Sequence, residues 1–174
     1  FECACNGLHL MGVGHLEEDE IEEAVADLAR AMATAAGTAM EGMLHNVRAS
    51  LASAHFMGGD VAAVESIERE VGNAEALSDG FGAARARLAL GEALVALGKG
   101  EQAVPNLRRA LEWVDARRML PYSLKGYRLL ATALKDAGDE QGSAAAALKA
   151  GEVRERIHWP LPAPDAGVPL QERA

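Results

Sequence analysis

Aromatic side chains make up only 4% of this chain, and it holds just two cysteines among 174 residues. Alanine and leucine supply most of the apolar content instead, which favours helices over strands. Cys3 and Cys5 stand two apart, where a bridge would be strained, so a disulfide framework is excluded and a reducing cytosol is the simpler setting. No run of eighteen apolar residues exists, which excludes a membrane-spanning helix. No signal peptide is visible, because Phe1 to Val13 lacks a basic start. The chain also lacks an initiator methionine, which points to a piece of a longer protein.

Positive charge is scarce, and scarcest in the first half. The formal net charge is −9, and residues 1–87 carry 15 of the 26 acidic groups but only 5 of the 17 basic ones. That balance argues against non-specific nucleic-acid binding. Catalytic patterns are missing too. There is no Gly-rich phosphate loop, no His-Glu-x-x-His and no Gly-x-Ser-x-Gly, and Gly98-Lys99-Gly100 has neither the preceding strand nor the glycine spacing of a phosphate loop. The five histidines, His9, His15, His45, His55 and His158, are scattered. Cys5 and His9 have the i,i+4 spacing of a metal pair but no convincing third ligand. The expectation is a chain that is not an enzyme, with no cofactor and no metal.

What is present is periodicity. From Ala83 to Leu111 the sequence reads as two helices joined by a tight turn. Leu88, Leu90, Leu94 and Leu97 recur at steps that build one apolar face; Gly98-Lys99-Gly100 breaks it; Ala103, Val104, Leu107, Ala110 and Leu111 restart it. An isolated amphipathic pair cannot bury its faces and needs copies beside it. Copies are there. The small residue opening each second helix is Ala24, Ala63, Ala103 and Ser143, at steps of 39, 40 and 40. Four residues on stand Leu28, Ile67, Leu107 and Ala147; seven on stand Ala31, Glu70, Ala110 and Ala150. In the first helices a small-residue column reads Gly12, Leu51, Gly91 and Ala131, preceded by Met11, Ser50, Leu90 and Leu130. The second unit fits worst, with Ser50, Leu51 and Glu70 off pattern. A glycine inside a helix costs about 1 kcal/mol against alanine. Gly12 and Gly91 therefore mark places where two helix backbones approach closely.

The pattern Leu90-Gly91, Leu94, Ala103, Leu107, Ala110 resembles the tetratricopeptide (TPR) consensus over nearly the whole chain, roughly residues 8–157. The period departs from the usual ~34 residues, with the extra residues at 34–38, 75–80 and 117–121. Most consensus aromatics are missing, Tyr127 being the main survivor. Longer Ala/Leu/Arg-rich units of this kind are similar to the repeat regions of MalT-like and LuxR-type bacterial regulators and of multidomain nucleotide cyclases. The resemblance implies an all-α, right-handed solenoid of about four hairpins, eight helices, over residues 1–158. A Pro-rich tail or linker follows at 159–174, with Pro160, Pro162, Pro164 and Pro169.

In such repeats the first helix of each pair lines the concave side. Projecting that rule gives a groove column at Asn6, His45, Arg85 and Lys125, and another at His9, Arg48, Leu88 and Arg128. Two further columns read Val13, Ala52, Glu92, Thr132 and Leu16, His55, Val95, Lys135. The expected ligand-binding set is Asn6, His9, His45, Arg48, His55, Arg85, Lys125, Arg128 and Lys135. A basic lining in an acidic chain suits an acidic peptide or a terminal carboxylate, although ordinary polar positions on a solvated helix face would look the same. The resulting expectation is a non-catalytic cytoplasmic interaction module within a larger bacterial regulatory protein. Its partner would be a protein segment, possibly from another domain of its own chain, with neither nucleic acid nor membrane involved. Two alternatives stay open. One is a domain sensing a small-molecule or peptide effector. The other is a homo-oligomerisation module pairing through Phe1, Leu8, Trp159 and Leu161.

Overall fold

A computed structural model describes residues 2–36 and 41–157, and these form eight α-helices. They run in chain order: α1 (Glu2–Glu17), α2 (Ile21–Ala35), α3 (Glu41–Met57), α4 (Ala63–Ala76), α5 (Gly80–Ala96), α6 (Gly100–Ala116), α7 (Leu120–Asp136) and α8 (Glu140–Ile157). No strand occurs among the described residues. Thr38, a residue type that caps helices, and the Pro-rich tail lie outside them. Consecutive helices pair into four hairpins, and each hairpin packs on the next. First helices also touch one another, α1 to α3, α3 to α5 and α5 to α7, whereas no two second helices touch. The first helices therefore form the inner layer of a curved stack and the second helices the outer one.

The first and third hairpins close where a side chain is missing, and the second and fourth have alanine, Ala52 and Ala131, in the same place. A Cβ on Gly12 would stand 2.6 Å from Leu28 Cγ, and one on Gly91 would stand 2.6 Å from Leu107 Cγ. Leu28, Ile67 and Leu107 are fully buried, one in each of the first three hairpins. Burying such a side chain contributes roughly 1.5–3 kcal/mol. The turn that ends each first helix needs one left-handed residue. It is Asp19 (φ 63°), Gly59 (98°), Gly98 (66°) and Gly138 (81°).

These turns correct the sequence register of α3. The turn residue lies seven positions after Gly12, Gly91 and Ala131. Seven before Gly59 is Ala52, which is buried, and not Leu51. Leu51 instead packs with Ala24, Val25 and Leu28 of α2, while Leu90 faces Val64 of α4 and Val61 just before it, so the two occupy the same place. The slip arises because the chain needs four residues from Gly59 to Ala63 but five from Gly98 to Ala103. Val61 and Ala62 form an extra tight turn there, with the Val61 N–H bonded to the Gly59 carbonyl.

Pro105 is the sixth residue of α6 and lies on the exposed side, where the carbonyl it leaves without a donor can meet water. Leu8 is half-buried against Cys5 and Val47, and Leu10 and Met11 are the exposed large apolar residues of α1.

The close approaches make a direct prediction. A Cβ on Gly100 would collide with the Ala133 backbone carbonyl oxygen and stand 2.8 Å from Asp136 Cβ, whereas one on Gly72 meets nothing within 4 Å. Gly100→Ala should destabilise the fold by about 1–3 kcal/mol, and Gly72→Ala should stabilise it by up to about 1 kcal/mol. Urea unfolding of both variants checks the pair, and equal effects would contradict the packing described.

Candidate functional site

A one-residue slip turns a helix by about 100°, and this re-sorts the basic residues expected in one groove. With α3 in register, the column of Arg85 reads Asn6, Asn46, Arg85 and Lys125. Its last two members reach the preceding first helices. Lys125 of α7 pairs with Glu92 of α5 at 2.7 Å. Arg85 of α5 reaches back to α3 and α1, donating to Ser50 Oγ at 3.2 Å and lying 3.4 Å from His9 Nε2. Ser50 Oγ and His9 Nε2 are 3.0 Å apart. The three form a consistent network if Arg85 donates to Ser50 and Ser50 donates to an unprotonated Nε2.

The imidazole of His9 is held neutral. Burial first, then the charge on Arg85, pushes its pKa down from 6.5 to about 4. Burial likewise pulls the Arg85 pKa down, with Tyr122 and Asp79 opposing. The guanidinium carbon stands 5.7 Å from the Phe81 ring centre, and Tyr122 packs edge-on against that ring at 5.8 Å. Arg85 is largely buried and has no carboxylate within ion-pair distance among the described residues.

The other expected residues lie elsewhere. His45, Arg48 and His55 were assigned to the inner surface, but the slip turns them toward α4. His45 Nδ1 meets Glu70 Oε2 at 2.7 Å, which holds a buried carboxylate where the other hairpins have alanine. Arg48 and His55 line a cleft between α3 and α4, joined there by Arg69 of α4. The column of His9, corrected to His9, Ala49, Leu88 and Arg128, faces the next hairpin. Its first three members are buried, and Arg128 is exposed on the end face formed by α7 and α8. Asn6 and Lys135 are exposed and join no cluster. Cys5 donates its thiol to the Ala31 carbonyl at 3.4 Å, and His9 serves Ser50, so the two do not act as a pair. Periodicity did not identify Ser50, Phe81 or Tyr122. Two of them are among the few aromatics, which was the available signal.

The solved structure of BtubC (BKLC) from P. vanneervenii matches with a TM-score of 0.50 over 94% of this chain and 84% of that one, at 16% identity. The fold is a TPR-like helical repeat. A Podosopora anserina protein described as a kinesin light chain with nearly identical TPR-like repeats gives 0.38 over 89% and 97%, at 18% identity. MamA MSR-1 C2 gives 0.36 over 88% and 98%, at 20% identity. No protein-family model matches the sequence, and no curated protein does. Among the described residues no helix is long and apolar enough to cross a membrane.

The neutral His9 gives the site a pH signature. In the unfolded chain it takes up a proton below about 6.5, and in the folded chain only near 4. Between these values the unfolded state holds the extra proton, so stability falls as the pH is lowered through that window. Urea unfolding from pH 6.5 to 4 should show a smaller loss for His9→Gln than for the unsubstituted chain; equal pH slopes would contradict the buried neutral imidazole.

Proposed function

We propose that this chain is a non-catalytic interaction module whose inner surface binds an acidic protein segment, with Arg85 as the charged anchor. One observation carries the reading. Residues 1–87 hold fifteen carboxylates, yet the Arg85 guanidinium on the inner layer has only a serine and a neutral histidine as polar partners among the described residues. Keeping a cation out of water without a counter-charge is costly. An incoming carboxylate would meet the flat guanidinium fork with two parallel hydrogen bonds. Phe81 and Tyr122 would flank it with the aromatic contact area that anchors peptide side chains. Lys125 lies further along the same column and is already paired with Glu92, so it supplies reach rather than an open charge.

The setting we favour is a larger bacterial regulatory protein of the MalT-like kind, located in the cytoplasm. The acidic segment would come from a partner or from another domain of the same chain. The resemblance of the sequence columns to such repeat regions supports this.

Because Arg85 lacks a counter-charge, removing it separates binding from folding. Arg85→Met should keep the thermal midpoint at or above that of the unsubstituted chain. It should weaken binding of acidic peptides with free C-termini by at least tenfold, read by fluorescence anisotropy across a peptide library. Unchanged affinity would overturn the reading. A lowered midpoint would show that Arg85 is a structural residue.

A further inference from the structure

Two of the three junctions between hairpins carry a tie from the end of one second helix to the next first helix. Arg87 of α5 bonds Glu75 at the end of α4 and also donates to Asn106 of α6 at 3.0 Å. One unit on, Tyr127 of α7 donates to Asp115 of α6 at 2.7 Å. Burial first, then that bond, raises the tyrosine pKa to about 12. In register, Arg48 of α3 is the matching residue one unit before Arg87. The place of Glu75 there is taken by Ala36, and that of Asn106 by Ser66. Both partners are gone and the arginine remains. It lines a cleft of about 520 Å³ between α3 and α4, with Arg69 and His55.

The cleft holds two arginines and two carboxylates, and neither carboxylate pairs with an arginine: Glu70 bonds His45, and Asp60 accepts from the Ala62 backbone N–H at 3.0 Å. Arg48, Arg69 and His55 have no hydrogen-bond or ion-pair partner among the described residues. Of the five arginines in residues 1–87, Arg30 and Arg87 hold carboxylates; two of the other three converge on this cleft. Ser66 and Asn73 add neutral donors, and the cleft opens at the first turn of α4, the positive end of that helix.

We propose that this cleft binds a compact phosphate group, free or at the end of a small molecule. Two arginines on facing helices suit a tetrahedral dianion, which offers oxygens in several directions; one guanidinium fork already satisfies a planar carboxylate. The volume falls in the range of small-ligand sites. Leu51, Ala52 and Ala63 form an apolar floor able to take a short carbon body. The site is distinct from the inner surface, because Arg48 faces α4 while Arg85 faces α3 and α1, so either could fail without the other. A ligand gripping both helices would tie α3 to α4 and thereby act on the second hairpin, whose α3 carries Ser50 of the Arg85 network.

Isothermal titration of the chain with inorganic phosphate and, separately, glycerol 3-phosphate tests this at matched ionic strength. Saturable binding is expected, at least tenfold weaker in Arg48→Gln and in Arg69→Gln. It should be unchanged in Arg109→Gln, the residue one unit on from Arg69. Preference for the ester assigns a small phosphorylated molecule, and equal affinities assign free phosphate. Absence of saturable binding, equal binding of succinate, or equal weakening by Arg109→Gln would overturn the proposal. Both arginines are exposed and unpartnered, so urea midpoints without ligand should stay unchanged. That check separates lost binding from lost folding.

Discussion

Close approach of paired helices at a glycine or alanine of each first helix is the constraint on which the rest of this structure depends. Gly12 under Leu28 and Gly91 under Leu107 set the rotation of α1 and α5 about their axes. Seven residues later comes the left-handed turn, and beyond it the second helix. Once that rotation is fixed, so is the direction of every other side chain on the first helix. Leu51 and Leu90 must face the previous second helix, Leu88 must face the next hairpin, and Arg85 must face back across the inner layer. The inner surface follows from the packing of the outer one.

An acidic half-chain with five arginines has carboxylates enough to pair them all. Arg30 meets Asp27 three residues before it, and Arg87 ties two hairpins through Glu75. The remaining three form no ion pair among the described residues. Exposed ion pairs contribute little, so the unpaired set costs the fold little at Arg48 and Arg69. The cost falls on Arg85, which is taken largely out of water.

Much of this was legible in the sequence. The leucine steps before Gly98 and the alanine steps after it gave two helices of the fold, and their recurrence at 39 or 40 residues gave the hairpin stack. The residues 24, 28 and 31 of α2 and 103, 107 and 110 of α6 are all buried as the columns required. The second hairpin was misplaced by one residue because its turn is shorter, and because Leu51 and Ala52 each offer a credible fit when read alone. That slip moved His45, Arg48 and His55 from the side of α4 to the inner surface. The network of His9, Ser50 and Arg85 spans three hairpins at sequence separations of 41, 76 and 35. No periodic pattern predicts such a contact, because it arises from side-chain reach across stacked units. Ser50 stood out only as a residue that broke the pattern.

The most direct test of the account follows individual arginines while a ligand is added. Side-chain Nε–H resonances recorded by NMR during titration with an acidic peptide would separate Arg85 from Arg30 and Arg87. The account predicts that the Arg85 resonance moves with saturation, together with the backbone amides of Ser50 and Phe81, while Arg30 and Arg87 stay in place. Movement of all three arginines alike, or of Arg87 without Arg85, would contradict the claim that the unpaired guanidinium of the inner layer is the binding anchor.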